Sequence, residues 1–139
     1  MMRVALLFLF CCTSAFAQYV NPAVTGDNIY DTICIPGWSA MVRPPVSYTN
    51  KVKKQRLQEI GLGMDSSPEY ELDHRIPISV GGHPRDLRNL ALQEWDGPNG
   101  AHAKDVVEAR MHRMVCDGKI ELRVAQRCLA RSWQNCPKE

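Results

Sequence analysis

The N-terminal stretch MMRVALLFLFCCTSAFA sets the conditions under which the rest of the chain folds. A cation at Arg3, an apolar run from Val4 to Cys12 and the small-x-small sequence Ala15-Phe16-Ala17 read as a secretory leader over residues 1–17, cleaved after Ala17. The run is too short to hold a bilayer permanently, so the expected product is secreted or periplasmic, with no stable membrane anchor. In such an oxidising compartment cysteines act as crosslinks.

Cys11 and Cys12 depart with the leader, which leaves Cys34, Cys116, Cys128 and Cys136. An even count in a small exported domain favours two disulfides, and three pairings are formally open. None of the four forms a Cys-x-x-Cys pair, so a zinc site of closely spaced thiolates is the weaker reading. Cys128 and Cys136 flank the end of the last expected helix across a short loop. They are expected to pair with each other, leaving Cys34 for Cys116.

The formal net charge of +2 falls by one when Arg3 leaves, and so small a balance neither requires nor excludes a polyanionic partner. Its distribution says more. Arg43, Lys51, Lys53, Lys54 and Arg56 form a basic segment without an acid, and Arg75, Arg85 and Arg88 surround the dipeptide Asp73-His74. A solvated helix face explains the first run equally well; cations gathered near a reactive pair also suit a phosphate backbone.

Residues 18–46 carry turn residues throughout and no sustained apolar period, which predicts a coil wrapping the core and pinned by Cys34. Residues 47–139 form one domain. Ser47 offers an N-cap to a helix over Thr49 to Ile60 that buries Val52, Leu57 and Ile60 and stops at Gly61. Tyr70 to Ile78 alternates apolar and polar residues, and Asn89 to Gln93 is a second short run, so the two predict a hairpin with a long loop. A helix over about Gly100 to Cys116 follows, with Val107, Met111, Met114 and Val115 on one face. A last helix runs from about Glu121 to Trp133.

This order brings the conspicuous polar residues together: Asp73 and His74 on the first strand, Asn89 opening the second, and His102 with Asp105 on one face of the next helix. The stretch DHRIPISVGGHPRDLRNL, followed by a helix containing AHAKDVVE, resembles the HNH endonucleases of the ββα-metal type over residues 70–133, with the motif within 70–116. That family commonly places a His or Asn three residues before a Lys on the helix. Here the position is Ala101, and His102 follows it.

The resemblance implies a small α+β fold with a ββα-metal core, flanking helices and disulfides, and an exported endonuclease that hydrolyses phosphodiester bonds. His74, with an ordinary pKa of about 6.5, would be the general base. Asn89 would hold the loop and fix the imidazole tautomer through its side-chain carbonyl. One divalent ion (Mg2+, Mn2+, Ni2+ or Zn2+) would sit on Asp73 and His102, with Asp105 as the reserve ligand. Arg75, Arg88 and Lys104 are candidates for substrate phosphate. The implied partner is nucleic acid, DNA ahead of RNA, with a cognate immunity or inhibitor protein also in keeping. Two other readings stay open: a degenerate binding module on the same fold, and a disulfide-stapled structural or inhibitor protein.

Overall fold

The computed structural model describes residues 19–138, so the leader expected over residues 1–17 lies outside the described residues. The stretch expected as a coil over residues 18–46 carries, among the described residues, more structure than that. An isolated antiparallel bridge joins Val20 to Gly82, and a 3-10 turn over Gly26–Asp31 precedes a short helix, α1, Trp38–Val42. Val24, Ile29, Ile33 and Trp38 are all buried, so this segment supplies part of the core rather than a cover for it.

Helix α2 spans Val46–Glu59 and starts earlier than the sequence suggested. Pro45 is the N-cap residue: its extended backbone, with φ fixed by the ring, presents its carbonyl to the amides of Tyr48 and Thr49. Ser47 therefore lies inside the helix. Val52 and Leu57 are buried, whereas Ile60 lies beyond the last turn and is exposed. Gly61, at φ +78°, takes the left-handed conformation that lets the chain leave.

Strands β1, Tyr70–His74, and β2, Leu90–Glu94, form an antiparallel hairpin in which Asp73 faces Ala91 and His74 faces Leu90. The expected strand to Ile78 stops at His74. Ile76, Ile78 and Val80 turn into the core, and the side chain of Asn89 takes the backbone polar groups of Ile76 that a ladder would have used. A side chain on Gly82 would meet the carbonyl oxygen of Ile76 at 1.8 Å, so only glycine fits that return of the loop.

Helix α3, Ala101–Cys116, buries Val107, Met111, Met114 and Val115 as its spacing foretold. Helix α4, Leu122–Ser132, buries Leu122, Ala125 and Leu129, and its buried Gln126 donates to the carbonyl of Val80. The described residues thus form a small α+β unit of one hairpin and four helices. Disulfides join Cys34 to Cys116 and Cys128 to Cys136, the expected pairing. The first closes a loop of sequence separation 82 and the second one of 8. Chain entropy alone makes the long closure worth roughly 4.5 kcal/mol against about 2.6 for the short one. Two such bridges suit a non-reducing compartment. Among the described residues no helix is long and apolar enough to cross a membrane.

Candidate active site

His74 closes β1, and packing between the hairpin and the loop after it leaves the residue 5% exposed. Its Nε2 lies 3.1 Å from the carbonyl oxygen of Pro84. A carbonyl only accepts, so this contact places the proton on Nε2 and leaves a lone pair on Nδ1, which makes no hydrogen bond with a described residue. Burial pushes the imidazole pKa below its usual value, against the opposing pulls of the Pro84 contact and Asp73. The neutral ring is the form a base needs.

Asn89 is fully buried. Its Nδ2 donates to the carbonyls of Ile76 and His83, at 3.0 Å each, and its Oδ1 accepts from the amide of Ile76 at 2.9 Å. It does hold the loop, yet its carbonyl meets Ile76 and not the imidazole. The Pro84 carbonyl occupies the place given to it by expectation.

Asp73 stands in a different system. One of its oxygens accepts from the amide of His74 at 2.7 Å, and the other accepts from Lys104 Nζ at 2.5 Å. That ammonium also donates to the His74 carbonyl oxygen at 2.8 Å and to Glu108. Lys104 is 3% exposed, and all three of its protons are engaged. Burial works against its charge, but Asp73 and Glu108 outweigh burial and hold its pKa above the usual lysine value. One ammonium between two carboxylates leaves a surplus negative charge. Burial, with Asp73 adding to it and Lys104 opposing, pushes Glu108 up to about 7.

The two adjacent residues also open onto different clefts. His74 shares a cleft of about 270 Å³ with Arg43, Asn50, Lys53, Glu71 and Trp95. Asp73 and Lys104 line another, of about 290 Å³, beside Arg75, Arg131 and Trp133. The ladder runs regularly to His74, so the alternation of side chains persists to the strand's end and separates the pair.

The expected metal ligands are not gathered. His102 lies exposed at the start of α3, its ring tilted at 32° against Trp95 with centroids 5.3 Å apart, and its Nε2 is 3.9 Å from Asp96. Asp105 is exposed on the same helix. Both Asp73 oxygens are engaged, one of them by an ammonium, so the residues as placed do not fit the divalent ion that the resemblance implies. Among the described residues, the group with ligand atoms near enough to share an ion is Cys34, His112 and Cys116, all within 4.8 Å. It lies elsewhere, and its two sulfurs are bonded to each other. Only with that bridge opened would they become thiolate ligands.

Of the phosphate candidates, Arg88 is a double partner of Asp86, whose carboxyl it holds down to about 2, and Lys104 is buried. Arg75 is exposed and lines the Asp73 cleft. Sequence reasoning missed Arg43, Lys53, Glu71 and Trp95 as partners of His74. The basic run signalled the first two, but nothing local assigned them to a strand so far along the chain. Glu71 Oε2 is buried without a hydrogen-bond partner, and burial, then Asp73 and Asp105, push its carboxyl pKa up.

Comparison with protein-family models, with curated proteins and with solved structures gives no match to this chain.

Proposed function

We propose that this chain is an exported endonuclease of the HNH kind that hydrolyses nucleic-acid phosphodiesters, DNA ahead of RNA, with His74 as its general base. The observation that carries the reading is the imidazole itself: buried, fixed by the Pro84 carbonyl in one tautomer, and left with a basic Nδ1 beside a cleft containing Arg43, Lys53 and Trp95. Cations suit a phosphate backbone, and an aromatic ring offers a face to a base. The hairpin followed by α3 agrees with the ββα order of that family.

In the reaction, water gives a proton to His74 Nδ1 and its oxygen attacks phosphorus while an ester bond on the far side breaks. Asn89 keeps the loop in place, so that Pro84 keeps the ring in place. The test is cleavage of supercoiled plasmid and of RNA by purified, oxidised protein. The parent should nick at least one of them, and His74→Ala should lose about a hundredfold or more of the rate. A His74→Ala protein that cuts as fast as the parent would overturn the mechanism.

The saturation of Asp73 by Lys104 favours one second reading, a binding module that holds nucleic acid without turning it over. Retention of plasmid with no cleavage under any condition is the outcome that selects it.

A further inference from the structure

Phosphoryl transfer needs positive charge where negative charge gathers, and in metal-dependent nucleases a divalent ion supplies it. Here the carboxylate meant for that ion already holds a cation. Asp73 is paired to Lys104, whose remaining protons go to Glu108 and to the carbonyl of His74. An incoming ion would have to expel a buried ammonium from three charge-assisted or carbonyl contacts and leave it without acceptors. It would also arrive on the wrong side, because Asp73 and His74 line different clefts.

The cleft that His74 does line has its own cations. Arg43 lies between α1 and α2, and Lys53 sits on the face of α2 that also presents Val46, Thr49 and Asn50 to the cleft. Neither Arg43 nor Lys53 makes a hydrogen bond or ion pair with a described side chain, in contrast to Lys104, Arg56 and Arg88. Glu71 lines the same cleft and feels the charge of Arg43, but neither cation is tied up in an ion pair there. We propose that Arg43 and Lys53 neutralise the scissile phosphate in the His74 cleft, and that cleavage there needs no divalent metal ion. This rests on the nuclease reading above.

The step balances without a further reactant. The water oxygen bonds to phosphorus as one ester bond breaks, His74 Nδ1 takes a proton from that water, and the departing ester oxygen takes one from solvent. Arg43 and Lys53 contact the non-bridging oxygens, where a guanidinium can engage two at once.

The experiment is plasmid and single-stranded oligonucleotide cleavage by metal-stripped protein in excess EDTA, repeated with added Mg2+, Mn2+, Ni2+ or Zn2+. Rates in EDTA should stay within about threefold of those with metal, since no ion enters the reaction. Arg43→Gln and Lys53→Gln should each slow cleavage about tenfold or more in EDTA, and together about a hundredfold, by removing charge that acts on the transition state. Both also weaken the salt dependence of binding, a change a purely structural role would not produce. Circular dichroism melts confirm that these surface variants remain folded. Cleavage that vanishes in EDTA and returns with a metal overturns this inference while the nuclease reading stands. Cutting in EDTA that neither substitution slows overturns it too, and failure to cut under every condition removes both readings.

Discussion

Asp73 and His74 are neighbours in the chain, and the fold gives them opposite surroundings. On the Asp73 side the ion cluster is satisfied from within: both Asp73 oxygens are engaged, and the three ammonium protons of Lys104 go to Asp73, to the His74 carbonyl and to one oxygen of Glu108. On the His74 side polar capacity is left over. Nδ1 makes no hydrogen bond with a described residue, and neither Arg43 nor Lys53 is held in an ion pair or side-chain hydrogen bond with one, although Arg43 acts on Glu71 across the cleft they share. A buried polar cluster that satisfies itself has nothing left to offer a substrate, and its work is to hold α3 against β1. Unsatisfied groups around a cleft are where chemistry can begin.

The contrast can be broken first at Lys104. Lys104→Met would leave the half-buried Asp73 and Glu108 without their buried cation, so chemical denaturation should show a loss of about 3 to 5 kcal/mol. A loss under about 1 kcal/mol would mean that the cluster does not hold the fold. Asn89→Ala comes next: it strips partners from the backbone groups of Ile76 and His83, and should cost about 3 kcal/mol with activity falling through the displaced Pro84 carbonyl.

Glu108 sharpens the contrast through pH. Its folded pKa of about 7 stands above the ordinary carboxyl value of 4.5, so between those values the folded protein holds a proton that the unfolded chain releases. Stability from this group is full below pH 4.5 and declines as pH rises through about 7. His74 acts in the opposite sense, since its lowered pKa costs stability as pH falls below the ordinary histidine value. The difference between parent and Glu108→Gln melts therefore isolates the carboxyl, and should change by about 3 kcal/mol across that window. A flat difference would show that Glu108 is charged throughout. The smallest effect is expected at His102, exposed against Trp95, where His102→Ala should shift stability by less than about 0.5 kcal/mol and leave cleavage unchanged.

Local pattern made much of this fold legible. The stripe Val107, Met111, Met114 and Val115 announced α3, and the short loop between Cys128 and Cys136 announced both disulfides. The end of β1 was not legible, because it depends on Asn89 reaching back to Ile76 across the loop. The i, i+4 spacing of Lys104 and Glu108 by itself gives no more than an ion pair on one helix face. Only the approach of Asp73 from the hairpin, with the burial that follows, turns it into an internal ion cluster. Arg43 and Lys53 were visible as basic residues, and their assignment to His74 is a consequence of how α2 crosses the hairpin. His102 stood out by residue type and one-dimensional spacing, which say nothing about the direction a helix end faces.

The separation of the two sides is tested most directly by the plasmid-cleavage rate of His74→Ala, set beside a melt showing that the variant is folded. If the unsatisfied face is the active one, the rate falls by about a hundredfold or more while the fold persists. A folded His74→Ala protein that nicks plasmid at the parental rate would contradict the account.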